Sequence, residues 1–187
     1  MFVKEKKVEY FLNAVHYCLW LNEKKIGDFV GKIVYVLLAP IPKYLFTKAY
    51  RKKYHERLSK EQKNLNAFFY NRKNSFSIGW ADHWFGYFYS GYSISLSFVI
   101  IGIAERKWGE LNAGMVALLI AIPIGICAIP AYNAVFVKDR YLKYFKKFEK
   151  KDERWHEKWK WITFLFVIGG IATAFMGLAV MGYIERL

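Results

Sequence analysis

Residues 128–161 read AIPAYNAVFVKDRYLKYFKKFEKKDERWHEKWKW. An apolar run closes on Ile129-Pro130-Ala131-Tyr132, passes Phe136-Val137-Lys138, and turns into a segment of alternating aromatics and lysines. A helix leaving a bilayer makes this change of character, because hydrocarbon excludes charge and the cytoplasmic surface collects lysine. A similar passage occurs earlier: Ile41-Pro42-Lys43-Tyr44, then Phe46-Thr47-Lys48, then Tyr50-Arg51-Lys52-Lys53-Tyr54. Each copy later ends on a matching tag, Gly102-Ile103-Ala104-Glu105-Arg106 and Gly182-Tyr183-Ile184-Glu185-Arg186.

Composition agrees with a membrane location. The 187-residue chain is 55% hydrophobic and 20% aromatic, yet carries a formal charge of +14. So much apolar surface cannot be hidden inside one small soluble domain. It can be accommodated if apolar blocks lie in a bilayer and charge is confined to loops. Residues 84–104, 111–137 and 161–184 contain no Asp, Glu, Lys or Arg. Each run exceeds the ~18 residues that argue for a spanning helix.

These runs organise the expected architecture, an all-α integral membrane protein. Residues 1–25 form an amphipathic N-terminal helix, with Val8, Phe11, Leu12, Val15 and Leu19 at helical spacing and Asn13 and His16 elsewhere on the wheel. It is too short and too polar to span, and lying on the membrane or against a partner suits it. The first half, 26–106, holds a span at 26–46, a basic cytoplasmic segment at 48–79 and a span at 84–104. The second half, 107–187, holds a span at 111–137, a basic interfacial helix at 138–160 and a span at 161–184. The 26–46 segment is the ambiguous one, since Asp28, Lys32 and Lys43 flank a short apolar centre. The echo makes it a first span, giving four helices and a 2+2 parallel repeat; without it there are three. Lysine and arginine put both basic segments in the cytoplasm and the Glu-Arg tags outside, in a bacterial inner membrane. Four spans leave Met1 outside and three leave it inside. No cleavable signal peptide is expected, and neither is a disulfide between Cys18 and Cys127.

Three groups of residues could carry function. The first is the stripe Gly86, Ser90, Ser93 and Ser97, on one face of the 84–104 helix. It reads as close helix packing, as do Ala117/Ala121/Gly125 and Gly169/Thr173/Gly177; its functional alternative is the wall of an oligomeric pore. The second is the 138–160 helix. Tyr141, Phe145, Phe148, Trp155 and Trp159 share a face that is expected to enter the headgroup region. Lys143, Lys146, Lys147, Lys150, Arg154 and Lys158 flank it and suit anionic lipid or an acidic partner. The third is His83 and His156, each beside an acid, which are weak metal candidates.

No ionisable group lies inside the three clear runs, which disfavours a coupled transporter. No phosphate loop, nucleophile elbow or carboxylate pair nominates an enzyme, and no cofactor is implied. The composite expectation is a non-enzymatic membrane protein acting as a self-assembling or accessory subunit, with its basic helices on anionic lipid or a partner. The alternatives are an oligomeric pore or permeabilising effector, then a membrane-embedded enzyme using the histidines. Nucleic acid is not expected as a partner.

Overall fold

The computed structural model describes residues 7–38, 57 and 76–186. All regular elements among them are helical: α1 Lys7–Leu38, α2 Phe76–Trp108, α3 Ala113–Val135, a 3-10 turn Val137–Asp139, α4 Arg140–Phe148 and α5 Glu153–Ile184. Three stretches are long and apolar enough to cross a membrane: Ser77–Trp108, Ala113–Phe148 and Glu153–Ile184. The second carries α3 through the turn into α4. The rest of the expected 26–46 span, the basic segment as far as residue 75, and the first copy of the echo lie outside the described residues.

The chain divides into two compact units, Leu19–Asp82 and Met1–Cys18 with His83–Leu187. In the first, α1 runs on without a break at residue 25, where a surface helix was expected to give way to a span. Ile26, Phe29, Val30, Ile33, Val36 and Leu37 along it are exposed.

In the second unit, α2 is the central helix. Its contacts with α5 rise in step along both chains. A Cβ on Gly91 would lie 2.6 Å from Gly170 O, one on Gly177 2.6 Å from Ser95 Cα, and one on Gly102 3.1 Å from Met181 Cα. The Tyr92 hydroxyl donates to Phe166 O at 2.7 Å. The two helices are therefore parallel, and only glycine permits this backbone approach, as small residues do where hydrocarbon offers no hydrophobic drive. Glu105 and Glu185 are thereby brought together at one end, past the apolar run 84–104.

The α3 helix returns antiparallel and contains Pro123 and Pro130. A proline at position i removes one helical N–H and opens the carbonyls around i−4 and i−3. Ile120 and Cys127 supply the i−3 carbonyls, and α2 satisfies both: Ser97 Oγ donates to Ile120 O at 3.3 Å and Tyr89 OH to Cys127 O at 3.1 Å. Asn112 caps the start of α3, its side chain accepting from Met115 N at 2.9 Å. At the other end, Asn13 Nδ2 of α1 donates to Ala134 O at 3.0 Å, one of the carbonyls a helix end leaves open.

The expected continuous helix over 138–160 is two helices. Lys138 (φ 59°) and Asp139 (φ 51°) take left-handed backbone, which turns the chain out of α3 into α4. A second break follows Phe148, where Lys151 N donates to Phe148 O at 3.0 Å. Asp152 is extended and begins α5, which runs unbroken into the apolar run.

Candidate functional site: a basic face over an aromatic clamp

The corner of α4 and α5 is built on α1, and residues 12–18 of α1 are all buried. Of the two places expected for this helix, on the membrane or against a partner, these residues pack against other helices of the same chain. Asn13 and His16, placed off the apolar face by the helical wheel, are both 0% exposed. His16 sits among the rings of Phe85, Phe136, Tyr141 and Phe145, with centroids 5.4–5.6 Å away. Around the rest of the helix, Tyr17 packs on Phe145 at 5.0 Å and Tyr10 on Phe148 at 5.2 Å. A helix with aromatics around most of its circumference has no wet side, and burial is its stable place. That signal was available in Tyr10, Phe11 and Tyr17, but apolar periodicity alone favoured one face.

The aromatics of α4 and α5 therefore have a protein destination. Tyr141, Phe145 and Phe148 are buried, and Trp155 and Trp159 half-buried. Phe148 stacks on Trp155 at 4.8 Å, and Trp155 Nε1 donates to Tyr10 OH at 3.0 Å. These contacts clamp α1 rather than leaving the rings free for the headgroup region.

The charged residues take the outside. Lys143, Lys146, Lys147, Lys150, Arg154 and Lys158 are all exposed. Lys146, Lys147 and Lys150, with Lys151, line a shallow depression of about 420 Å³. Lys147 Nζ lies 5.6 Å over the Tyr10 ring, within cation–π range. Glu9 and Arg140 form a partly exposed ion pair at 3.5 Å, a weak tie between α1 and α4. Four ammonium groups around one hollow can hold a phosphate or a carboxylate by charge, without any fixed bidentate geometry.

The histidines are separate features. His156 Nδ1 is 2.9 Å from the Asp152 carbonyl, so this nitrogen carries the proton and donates. Its Nε2 is 3.5 Å from the Tyr17 hydroxyl. Both ring nitrogens thus have partners within the chain. His83 is exposed on α2 with its ring 5.6 Å from Tyr87. Among the described residues, no three His, Cys, Asp or Glu side chains gather as a metal site.

The expected small-residue stripe divides. Ser97 (0% exposed) and Ser93 (5%) are buried, whereas Ser90 is half-buried and bonds its own Tyr87 carbonyl at 2.8 Å. Gly86 is exposed, and nothing lies within 4 Å of a Cβ built on it. The α2–α5 seam runs instead through Gly91, Ser95 and Gly102. On α3, Ala117, Ala121 and Gly125 are all exposed. Among the described residues, Asn13 Oδ1 and Thr163 Oγ1 are buried without a hydrogen-bond partner. No protein family, characterised protein or solved structure matches this chain.

Proposed function

We propose that the chain is a non-enzymatic, multi-span membrane subunit that holds anionic phosphate groups on its α4–α5 corner and associates with another membrane helix through α3. One observation carries the lipid reading. The aromatic side of α4 is spent on α1, so the exposed side of α4 is made of lysines, on a body whose spans are apolar. Near a membrane surface each such lysine contributes about 1 kcal/mol towards anionic lipid. The exposed line Ala117, Ala121 and Gly125 supports association, because small residues allow close approach of a second helix. Burial of Ser93 and Ser97 favours the packing reading of the stripe over the pore wall.

The lysine distribution puts this corner in the cytoplasm. The proposal takes the three stretches that are long and apolar enough to span, and three spans leave Met1 on the side of this corner. With three spans the 2+2 duplication drops out of the proposal. The likeness of the two Glu-Arg tags then reflects two parallel helices leaving the bilayer on one side.

The test uses the full chain in nanodiscs of mixed phosphatidylglycerol and phosphatidylcholine, followed by native mass spectrometry of retained lipid. Replacing Lys146, Lys147, Lys150 and Lys151 by Gln should remove the preference for phosphatidylglycerol, a loss of at most ~4 kcal/mol that shrinks with salt. An unchanged preference refutes the lipid reading and leaves an acidic protein as the partner class.

A further inference from the structure

In the cytoplasmic half of the second unit, α1 fills the fourth position beside α2, α3 and α5: His16 meets Phe85, Asn13 reaches Ala134, and Phe11 meets Phe166 at 6.1 Å. A groove of about 470 Å³ is lined by all four helices through residues that include Phe11, Leu12, Tyr92, Ser93, Cys127 and Phe166. The volume lies within the roughly 300–1,000 Å³ typical of small-molecule sites.

The chemistry of the wall selects the occupant. None of the lining residues is charged. The hydroxyls of Tyr89 and Tyr92 both donate to backbone carbonyls, of Cys127 and Phe166, so their rings are what they offer the groove. Along α2 the groove runs from Tyr89 to Leu96, about 10 Å at 1.5 Å per residue. A spanning helix is about 30 Å long, so a second copy's helix would fill it over a third of its length at best. A flexible hydrocarbon chain fits the shape and is the surrounding medium.

One end of the groove also leads to the basic corner. Phe11 packs on Trp159 at 5.8 Å, Trp159 on Tyr10 at 5.7 Å, and Lys147 Nζ stands 5.6 Å over Tyr10. We infer that the groove holds one acyl chain of an anionic phospholipid whose phosphate rests on Lys147 and its neighbouring lysines. The headgroup half of this inference rests on the function proposed above. It makes the lipid a resident of a defined site.

The experiment uses the full chain in vesicles containing phosphatidylglycerol or phosphatidylcholine with a photoactivatable group in the acyl chain. After illumination, adducts are mapped by peptide sequencing. Adducts should concentrate on 89–96 and Cys127 over the outward α3 residues Leu118 and Ile122. They should favour phosphatidylglycerol by about five-fold for each lysine engaged. Leu96 is 50% and Val8 67% exposed, so Leu96→Trp or Val8→Trp can fill the groove from its rim without disturbing the core. Either should cut groove adducts and leave those at Leu118 and Ile122 unchanged. Adducts at Leu118 and Ile122 with none in the groove overturn the inference and leave the proposed function standing. Groove adducts indifferent to the headgroup overturn the headgroup assignment and the lipid function together.

Discussion

At the residue scale, hydroxyls on α2 act on the backbone of α3. Pro123 and Pro130 open carbonyls in a helix surrounded by hydrocarbon, where water cannot satisfy them. Ser97 and Tyr89 occupy that role, so Ser97→Ala should cost about 0.5–1.5 kcal/mol, the net value of one hydrogen bond. Ser90→Ala, whose hydroxyl bonds only its own helix, should be silent. Titration of both purified variants with a denaturing detergent checks this pair; equal stability would show that Ser97 does not serve the carbonyl opened by Pro123. Lys138 makes the opposite case. Its left-handed φ of 59° strains a side-chain-bearing residue, and Lys138 is exposed. Lys138→Gly should therefore stabilise the turn by about 1 kcal/mol. Helical spacing puts Gly86, Ser90, Ser93 and Ser97 on one line. It could not reveal that a second helix covers only part of that line, because helical spacing describes a direction and says nothing of what lies opposite.

At the element scale, the parallel seam between α2 and α5 depends on glycines that meet backbone. A Cβ on Gly170 would collide with Phe88 O. Gly170→Ala should destabilise the bundle by roughly 1–3 kcal/mol, as overpacking does. Gly86→Ala faces open space and should gain up to about 1 kcal/mol of helix propensity. Thermal unfolding in one detergent distinguishes them, and similar behaviour of the two variants would deny the seam. The three stretches apolar enough to span and the polar tip near Glu105–Glu110 were legible because a chain seldom goes uncharged over a bilayer's thickness unless it crosses one. The placement of α1 was not. Aromatics at helical spacing serve a headgroup layer or another helix equally well, and the partner rings on α4 and α5 are more than a hundred residues away. The breaks at Lys138–Asp139 and after Phe148 were hidden for a related reason, since neither contains Gly or Pro.

At the scale of the whole molecule, two features determine how the chain sits and what it meets. If the chain crosses the membrane three times, a reporter fused before Met1 and one inserted at Lys150 should face the same compartment. Opposite readings would restore four spans. The second feature is the open side of α3. Ala117, Ala121 and Gly125 are exposed, and no atom lies within 4 Å of a Cβ on Gly125. A large side chain there cannot damage the described packing of the monomer, yet it would hold a neighbouring helix away, since close approach is what such small residues permit. Gly125→Leu should therefore leave thermal stability at high detergent dilution unchanged and shift the molecular mass in nanodiscs to that of one chain. Gly170→Ala should do the reverse, weakening each chain without touching the exposed line. A Gly125→Leu protein with the wild-type mass would remove α3 from the interface, and a wild-type protein already monomeric in nanodiscs would leave that face to a different membrane protein.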